Sequence, residues 1–152
     1  MIFLTDYPTG NVAFLFSDIA GSTRRFEANE PSARKLLEIH DHLLSSAITQ
    51  NGGTVFKTLG DSFLSAFPSA IQALLATIDS QFAIENYDWM SADIEPPAVR
   101  MALHIGDVQF RNNDYIGTAL AVADRILKLA HVKQILISES FFFKYKTNCL
   151  KE

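Results

Sequence analysis

Apolar residues arrive along this chain in short dense runs and in helical stripes, punctuated by Gly, Asn and Pro. The run Val12–Ser17 (VAFLFS) reads as a buried strand. Ser22 and Thr23 then offer N-caps for a helix. Its apolar positions, Phe26, Leu36, Leu37, His40, Leu43, Leu44 and Ile48, recur at roughly helical spacing, and Pro31 asks for a break or restart. Asn51-Gly52-Gly53 ends that helix and turns the chain. Two β-rich runs, Thr54–Thr58 and Ser62–Phe67, flank Leu59-Gly60-Asp61 in the manner of a hairpin. Pro68 suits the first turn of a helix running to about Tyr87, with Ile71, Leu74, Leu75, Ile78 and Phe82 facing inward. After a linker from Trp89 to Pro97 come a long strand, Val99–Phe110, a turn at residues 111–114 and a helix, Gly117–Leu129. A final strand, Ile135–Ser138, precedes a Phe-rich segment whose Phe141-Phe142-Phe143 run calls for a cover. This order predicts an α+β, ferredoxin-like sandwich: an antiparallel-rich sheet with helices on one face.

Composition narrows the picture. The 152 residues are read as one domain, 1–152, and a hydrophobic fraction of 48% suffices for a substantial core. A net charge of −4 gives no broad basic face, so nucleic acid is not an expected partner. The lone Cys149 rules out an internal disulfide framework and fits a reducing compartment. No apolar run approaches the roughly 18 residues of a membrane span, and the start (MIFLTDYPTG) is too short and polar for a signal peptide. The expectation is a cytoplasmic domain with no membrane partner.

Chemistry concentrates where the apolar runs stop. Asp18 ends the first strand, and Asp61 sits in the hairpin between the second and third. A ferredoxin-like sheet makes these elements neighbours, so the two carboxylates converge. At about 4 Å they repel unless a cation separates them, and Mg²⁺ is commonly held by one or two carboxylates plus phosphate oxygens. Ile19, Ala20, Gly21, Ser22 and Thr23 add backbone N–H groups at a helix start, where phosphate binds well. The alternative is an ordinary strand-to-helix junction in which the acid is a cap or turn residue. Lys57 and Asp61 are four apart and could simply pair across the turn. Arg125 lies on a mostly apolar surface with Ala121, Val122 and Ile126, either snorkelling or pointing into a cleft. The four histidines share no ligand spacing and read as structural.

Four stretches in order carry a resemblance. FLFSDIAGST resembles the first metal-binding signature of class III nucleotidyl cyclase catalytic domains, and FKTLGDSF (56–63) resembles the second. VRMALHIGDV (99–108) is similar to the family's central strand, and DYIGTALAVADRI (114–126) to its purine-pocket and catalytic helix. Together they cover about residues 10–140, and their wording is similar to bacterial cyclase domains that precede large regulatory regions in longer proteins. The resemblance implies that Asp18 and Asp61 bind a pair of Mg²⁺ or Mn²⁺ ions, one activating the ribose 3′-hydroxyl and one clamping the triphosphate of ATP. It implies that Lys57 and Asp114 read the purine edge, in a pairing like the adenine-selecting one. It gives Arg125 the neutralisation of charge on the α-phosphate in the transition state. It also implies a head-to-tail homodimer, the aspartates of one protomer facing the purine pair and arginine of the other.

Two positions depart from the family. The Asn expected four residues before the catalytic arginine is Ala121, which neither donates nor accepts. Losing one transition-state hydrogen bond costs on the order of 2–4 kcal/mol, or roughly 10²–10³ in rate, which predicts a slow enzyme. The family's closing β-hairpin, with a triphosphate-binding lysine, has no counterpart in FFFKYKTNCLKE. The expected function is therefore an adenylyl cyclase of weak activity. A degenerate module that binds nucleotide or only dimerises is the alternative. A diguanylate cyclase is a third, since TLGDSF only partly echoes the Gly-Gly-Asp/Glu-Glu-Phe signature.

Overall fold

The first strand is buried on both faces, and the architecture follows from the need to cover both. In the computed structural model, which describes residues 7–149, β1 spans Gly10–Ile19 and every residue from Val12 to Ser17 is buried. The other elements are α1 (Ser22–Ala28), α2 (Glu30–Gln50), β2 (Thr54–Leu59), β3 (Ser62–Phe67), α3 (Ala70–Asn86), β4 (Val99–Arg111), β5 (Asp114–Ile116), α4 (Thr118–Leu129), β6 (Ile135–Ile137) and α5 (Glu139–Cys149). The sheet runs β2-β3-β1-β4-β5, with β6 added to β4. Among the described residues only β6 is parallel to its neighbour, at Met101–Leu103. The α+β class and the antiparallel-rich sheet are as the sequence pattern predicts.

Side chains alternate along a strand, so β1 feeds two cores. Ala13, Leu15 and Ile19 join Leu36 and Leu44 of α2, Ala73 and Ala76 of α3, and Phe141 of α5. Val12, Phe14 and Phe16 join Tyr115 of β5 and Ala119, Ala123 and Leu127 of α4. Placing all helices on one face is thus corrected for α4, which covers the opposite face. A strand apolar at every position cannot leave one side in water. Close approach of α4 to the sheet depends on Gly106, where a Cβ would lie 2.7 Å from that of Ala119.

Helix starts differ from the sequence reading in ways the backbone explains. Neither Ser22 nor Thr23 caps α1. Gly21 holds the N-cap position at φ 71°, ψ 21°, a left-handed turn that glycine adopts without Cβ strain, and no side chain bonds there. The expected break falls at Asn29, whose side chain accepts from the Ser32 amide at 3.2 Å and caps α2, with Pro31 in its first turn. Ser69, not Pro68, begins α3, accepting from the Gln72 amide at 3.2 Å. The inward face of α3 is also corrected. It consists of Ala70, Ala73, Ala76, Thr77, Ser80 and Ile84, while Leu75, Ile78 and Phe82 are exposed. The segment 87–98 is anchored by Trp89, buried and donating through Nε1 to the Ile84 carbonyl at 2.8 Å. Of the Phe run, Phe141 is buried, whereas Phe142 and Phe143 stay about half exposed. Among the described residues no helix is long and apolar enough to cross a membrane.

Candidate active site

Asp18 lies at the end of β1, directly opposite Arg100 at the start of β4. The facing positions produce a two-pronged ion pair: Arg100 Nε donates to Asp18 Oδ1 at 2.8 Å and Nη2 donates to Oδ2 at 2.5 Å. Both side chains are largely buried. Asp61, at the tip of the β2–β3 hairpin, accepts through Oδ2 from the Ile19 amide at 2.9 Å, the residue next to Asp18. The hydrogen bonds that Arg100 donates to Asp18 raise its pKa against the cost of burial, and the negative charges of Asp18 and Asp61 raise it further. The two predicted acids thus lie side by side: Asp18 paired with Arg100, and Asp61 on the amide of the next residue.

That arrangement tests the fit of a divalent ion. Among the described residues no cluster of three or more His, Cys, Asp or Glu side chains could hold a metal. Two neighbouring carboxylates match the sparse ligand set of Mg²⁺, which completes its shell with water and phosphate oxygens. Asp18, Asp61 and neighbouring backbone carbonyls would hold it. The turn Ile19, Ala20, Gly21, Ser22, Thr23 sits beside this pair, fixed by the Ala20 amide donating to the Ala98 carbonyl at 2.8 Å. Arg25 of α1 braces the same segment through the carbonyls of Glu95 and Pro96, both at 2.8 Å.

Lys57 and Asp114 belong to β2 and β5, the two ends of the sheet order, yet Lys57 Nζ donates to Asp114 Oδ2 at 2.8 Å. Two features close that gap. A bulge between Val55 and Lys57 shifts the register of β2, so that Phe56 and Lys57 both reach the α4 side. Meanwhile β5 pairs only with the far end of β4, at Gln109–Arg111, and folds back over the sheet. Tyr115 then packs against Phe14 and Phe56, with ring centroids 5.5 and 4.8 Å apart. The hydrogen bond from Lys57 holds the Asp114 carboxyl below the usual carboxylate range. Lys57 pairs with Asp114 rather than with Asp61.

The pair stands at a cavity of about 400 Å³ walled by Phe16, Phe56, Leu64, Tyr115 and Leu120. Ala121 and Asp124 of α4 complete it, so the alanine occupies the wall where the resemblance expects a ribose-orienting amide. Arg125 follows on the same helix but is exposed and does not line this cavity. A few polar groups, Lys57 and Asp114 among them, at the lip of a largely apolar slot suit the edge and faces of a planar heterocycle.

Arg100 is the site residue that sequence reasoning missed. A basic residue inside the apolar run AVRMALHI asks for an acid nearby, but only the strand register names that acid as Asp18. Two of the histidines are structural, His40 buried against Asp41 at 2.9 Å and His104 bonded to Ser138 at 2.8 Å, while His42 and His131 are exposed. Burial lowers the His104 pKa.

Comparison with known proteins gives the family and the fold. Residues 4–148 match the model of the adenylate and guanylate cyclase catalytic domain. An uncharacterized protein of Mycobacterium tuberculosis is 32% identical over 133 residues, covering 86% of this chain and 44% of its own length. An adenylate cyclase of Podospora anserina is 30% identical over 167 residues, covering 95% of this chain and 8% of that protein. The chain therefore spans less than half of the curated relatives it resembles. Among solved structures, an adenylate/guanylate cyclase/hydrolase from Silicibacter pomeroyi superposes with a TM-score of 0.79 at 28% identity, over 91% of this chain and 81% of that one. The adenylyl cyclase CyaB from P. aeruginosa shares the fold, with a TM-score of 0.77 at 22% identity, over 91% and 81%.

Proposed function

This chain belongs to the adenylate and guanylate cyclase catalytic domain family, and from that premise we propose that residues 1–152 form one catalytic domain converting ATP to cyclic AMP and pyrophosphate. The ribose 3′-oxygen bonds to the α-phosphorus, the bridge to the β-phosphate breaks, and pyrophosphate leaves with the electron pair. Two Mg²⁺ or Mn²⁺ ions, when bound, supply activation of the 3′-hydroxyl and neutralisation of the triphosphate. Asp18 and Asp61 hold them, and the Ile19–Thr23 turn donates to phosphate oxygens. Lys57 and Asp114 grip the base edge, in the adenine-selecting pairing that the sequence resembles. Arg125 stabilises charge on the α-phosphate.

The observation that supports this reading is the nearness of the two acids: Asp61 accepts from the amide of Ile19, the residue after Asp18, whose carboxylate is gripped by Arg100. Arg125, exposed on α4, is free to face the Asp18 and Asp61 of a second copy in the head-to-tail homodimer that the sequence resemblance implies. The cytoplasm, with its ATP and its reducing conditions for Cys149, is the compartment this reading assigns.

Asp18→Asn and Asp61→Asn test it. Each variant should keep its fold by circular dichroism and lose Mn²⁺-dependent ATP binding by calorimetry; normal MnATP binding in both would end the two-cation reading. Ala121 in the cavity wall favours a second reading, a nucleotide-binding or dimerising module with little turnover.

A further inference from the structure

The cavity beside Lys57 and Asp114 has one more carboxylate in its wall, which the reaction proposed above leaves unused. Leu120, Ala121, Asp124 and Leu127 line the cavity from α4 as a single helical stripe, and Asp124 is its charged member. Lys128 Nζ, one turn further on, donates to Asp124 Oδ2 at 2.6 Å. That bond fixes the side chain through Oδ2 and leaves Oδ1 for a ligand. Asp114 differs: its Oδ2 accepts from Lys57 and its Oδ1 from the Tyr115 amide at 2.9 Å. The Tyr115 hydroxyl is likewise engaged, donating to the Pro8 carbonyl at 2.7 Å.

Resting on the nucleotide-site reading above, we infer that Asp124 is a specificity-determining residue: it accepts a hydrogen bond from the ribose 2′-hydroxyl and so selects ribonucleotides over deoxyribonucleotides. Its place along α4 supports the match. Asp114 sits just before the helix, which begins at Thr118. At roughly 1.5 Å per residue, Asp124 lies about 9 Å further along the axis, a distance comparable to the length of a nucleoside. A base edge held at Asp114 therefore brings the sugar to Asp124. The charge agrees, since a carboxylate accepts from hydroxyl groups and repels phosphate oxygens. Of the two sugar hydroxyls, the 3′ is the one that attacks the α-phosphorus, which leaves the 2′ to be held. Asp124 accepts but does not donate, so it anchors the sugar without replacing the donor that Ala121 lacks.

The test is calorimetric titration of the full chain with the Mn²⁺ complexes of ATP, 2′-deoxy-ATP and 3′-deoxy-ATP. Wild type, Asp124→Ala, Asp124→Asn and Lys128→Met are compared, each checked for folding by its thermal midpoint. Wild type should bind 2′-deoxy-ATP about tenfold more weakly than ATP, the loss of one charge-assisted hydrogen bond at a carboxylate 48% exposed. Asp124→Ala should bring ATP down to the level of 2′-deoxy-ATP and abolish the preference. It should also weaken 3′-deoxy-ATP, which keeps the 2′-hydroxyl. Asp124→Asn, with an acceptor oxygen but no charge, should keep part of the preference. Lys128→Met should keep it all, because the ion pair itself does not read the sugar. If wild type binds ATP and 2′-deoxy-ATP equally, or Asp124→Ala keeps the wild-type ratio, the inference is overturned. If wild type binds none of the three, the nucleotide-site reading fails and this inference falls with it. Should Asp124→Ala prove unfolded, an undiminished ratio in Asp124→Asn overturns the inference by itself.

Discussion

Removing the Lys57–Asp114 pair should leave the fold standing and damage nucleotide binding. The two side chains are 41% and 43% exposed, so their attraction acts largely through water. Exposed pairs of this kind contribute about 0–1 kcal/mol to stability. For a domain of this size that is a shift of no more than about 4 °C in thermal midpoint. At the cavity lip, the same two groups are the donor and acceptor offered to a purine edge. Each hydrogen bond from a charged group is worth about 1.5–3 kcal/mol, so losing one should weaken ATP binding roughly ten- to a hundredfold. Lys57→Met, Asp114→Asn and the double variant should be compared by thermal melting and by MnATP calorimetry. The two single losses should not add, because either partner alone leaves the other misplaced. A midpoint drop beyond about 10 °C would mark the pair as a structural staple. Unchanged MnATP affinity in both single variants would refute its assignment to the base.

Three further outcomes follow from particular residues. Gly106→Ala drives a methyl group to 2.7 Å from the Ala119 Cβ, which should lift α4 from the sheet and cost about 1–3 kcal/mol, read by urea denaturation; a neutral effect would contradict the tight α4 seat. His104, buried beside Ser138 with its pKa lowered by that burial, takes up a proton in the unfolded chain before the folded one. Stability should therefore be lost as pH falls below the usual histidine value of about 6.5, and His104→Gln should flatten the dependence of thermal midpoint on pH between 7.5 and 5.5; an unchanged slope would assign it elsewhere. Ala121→Asn places an amide in the wall of the cavity and should raise cyclic AMP turnover by roughly 10²–10³, with thermal stability little altered. A variant no faster than wild type would show that the alanine is not what limits the rate.

Strands and acids were legible in the sequence because their signals are local. The unbroken apolar run to Ser17 announced a buried strand with Asp18 at its end, and Asp61 stood in the turn between two β-rich runs. The facing of α3 was not legible, since apolar residues surround that helix. The tight fit against the sheet selects Ala70, Ala73 and Ala76 for the inside and leaves Leu75, Ile78 and Phe82 outside, against the usual rule of size. The second covered face of the sheet was implicit in β1, whose alternate side chains needed α4. The meeting of Lys57 with Asp114 spans strands at opposite ends of the sheet order, and it depends on a bulge in β2 and the fold-back of β5. No spacing in the chain encodes that approach; only the resemblance joined the two residues. Arg100 went unread because its role comes from register, the pairing of residue 18 with residue 100.

The most direct measurement is cyclic AMP formation from ATP by the purified chain with Mn²⁺, at rising protein concentration, beside Asp18→Asn. A cyclase with composite sites predicts product that requires Mn²⁺, rises more steeply than protein concentration, and vanishes in the variant. No product at any concentration, or product that persists in Asp18→Asn, would contradict the account.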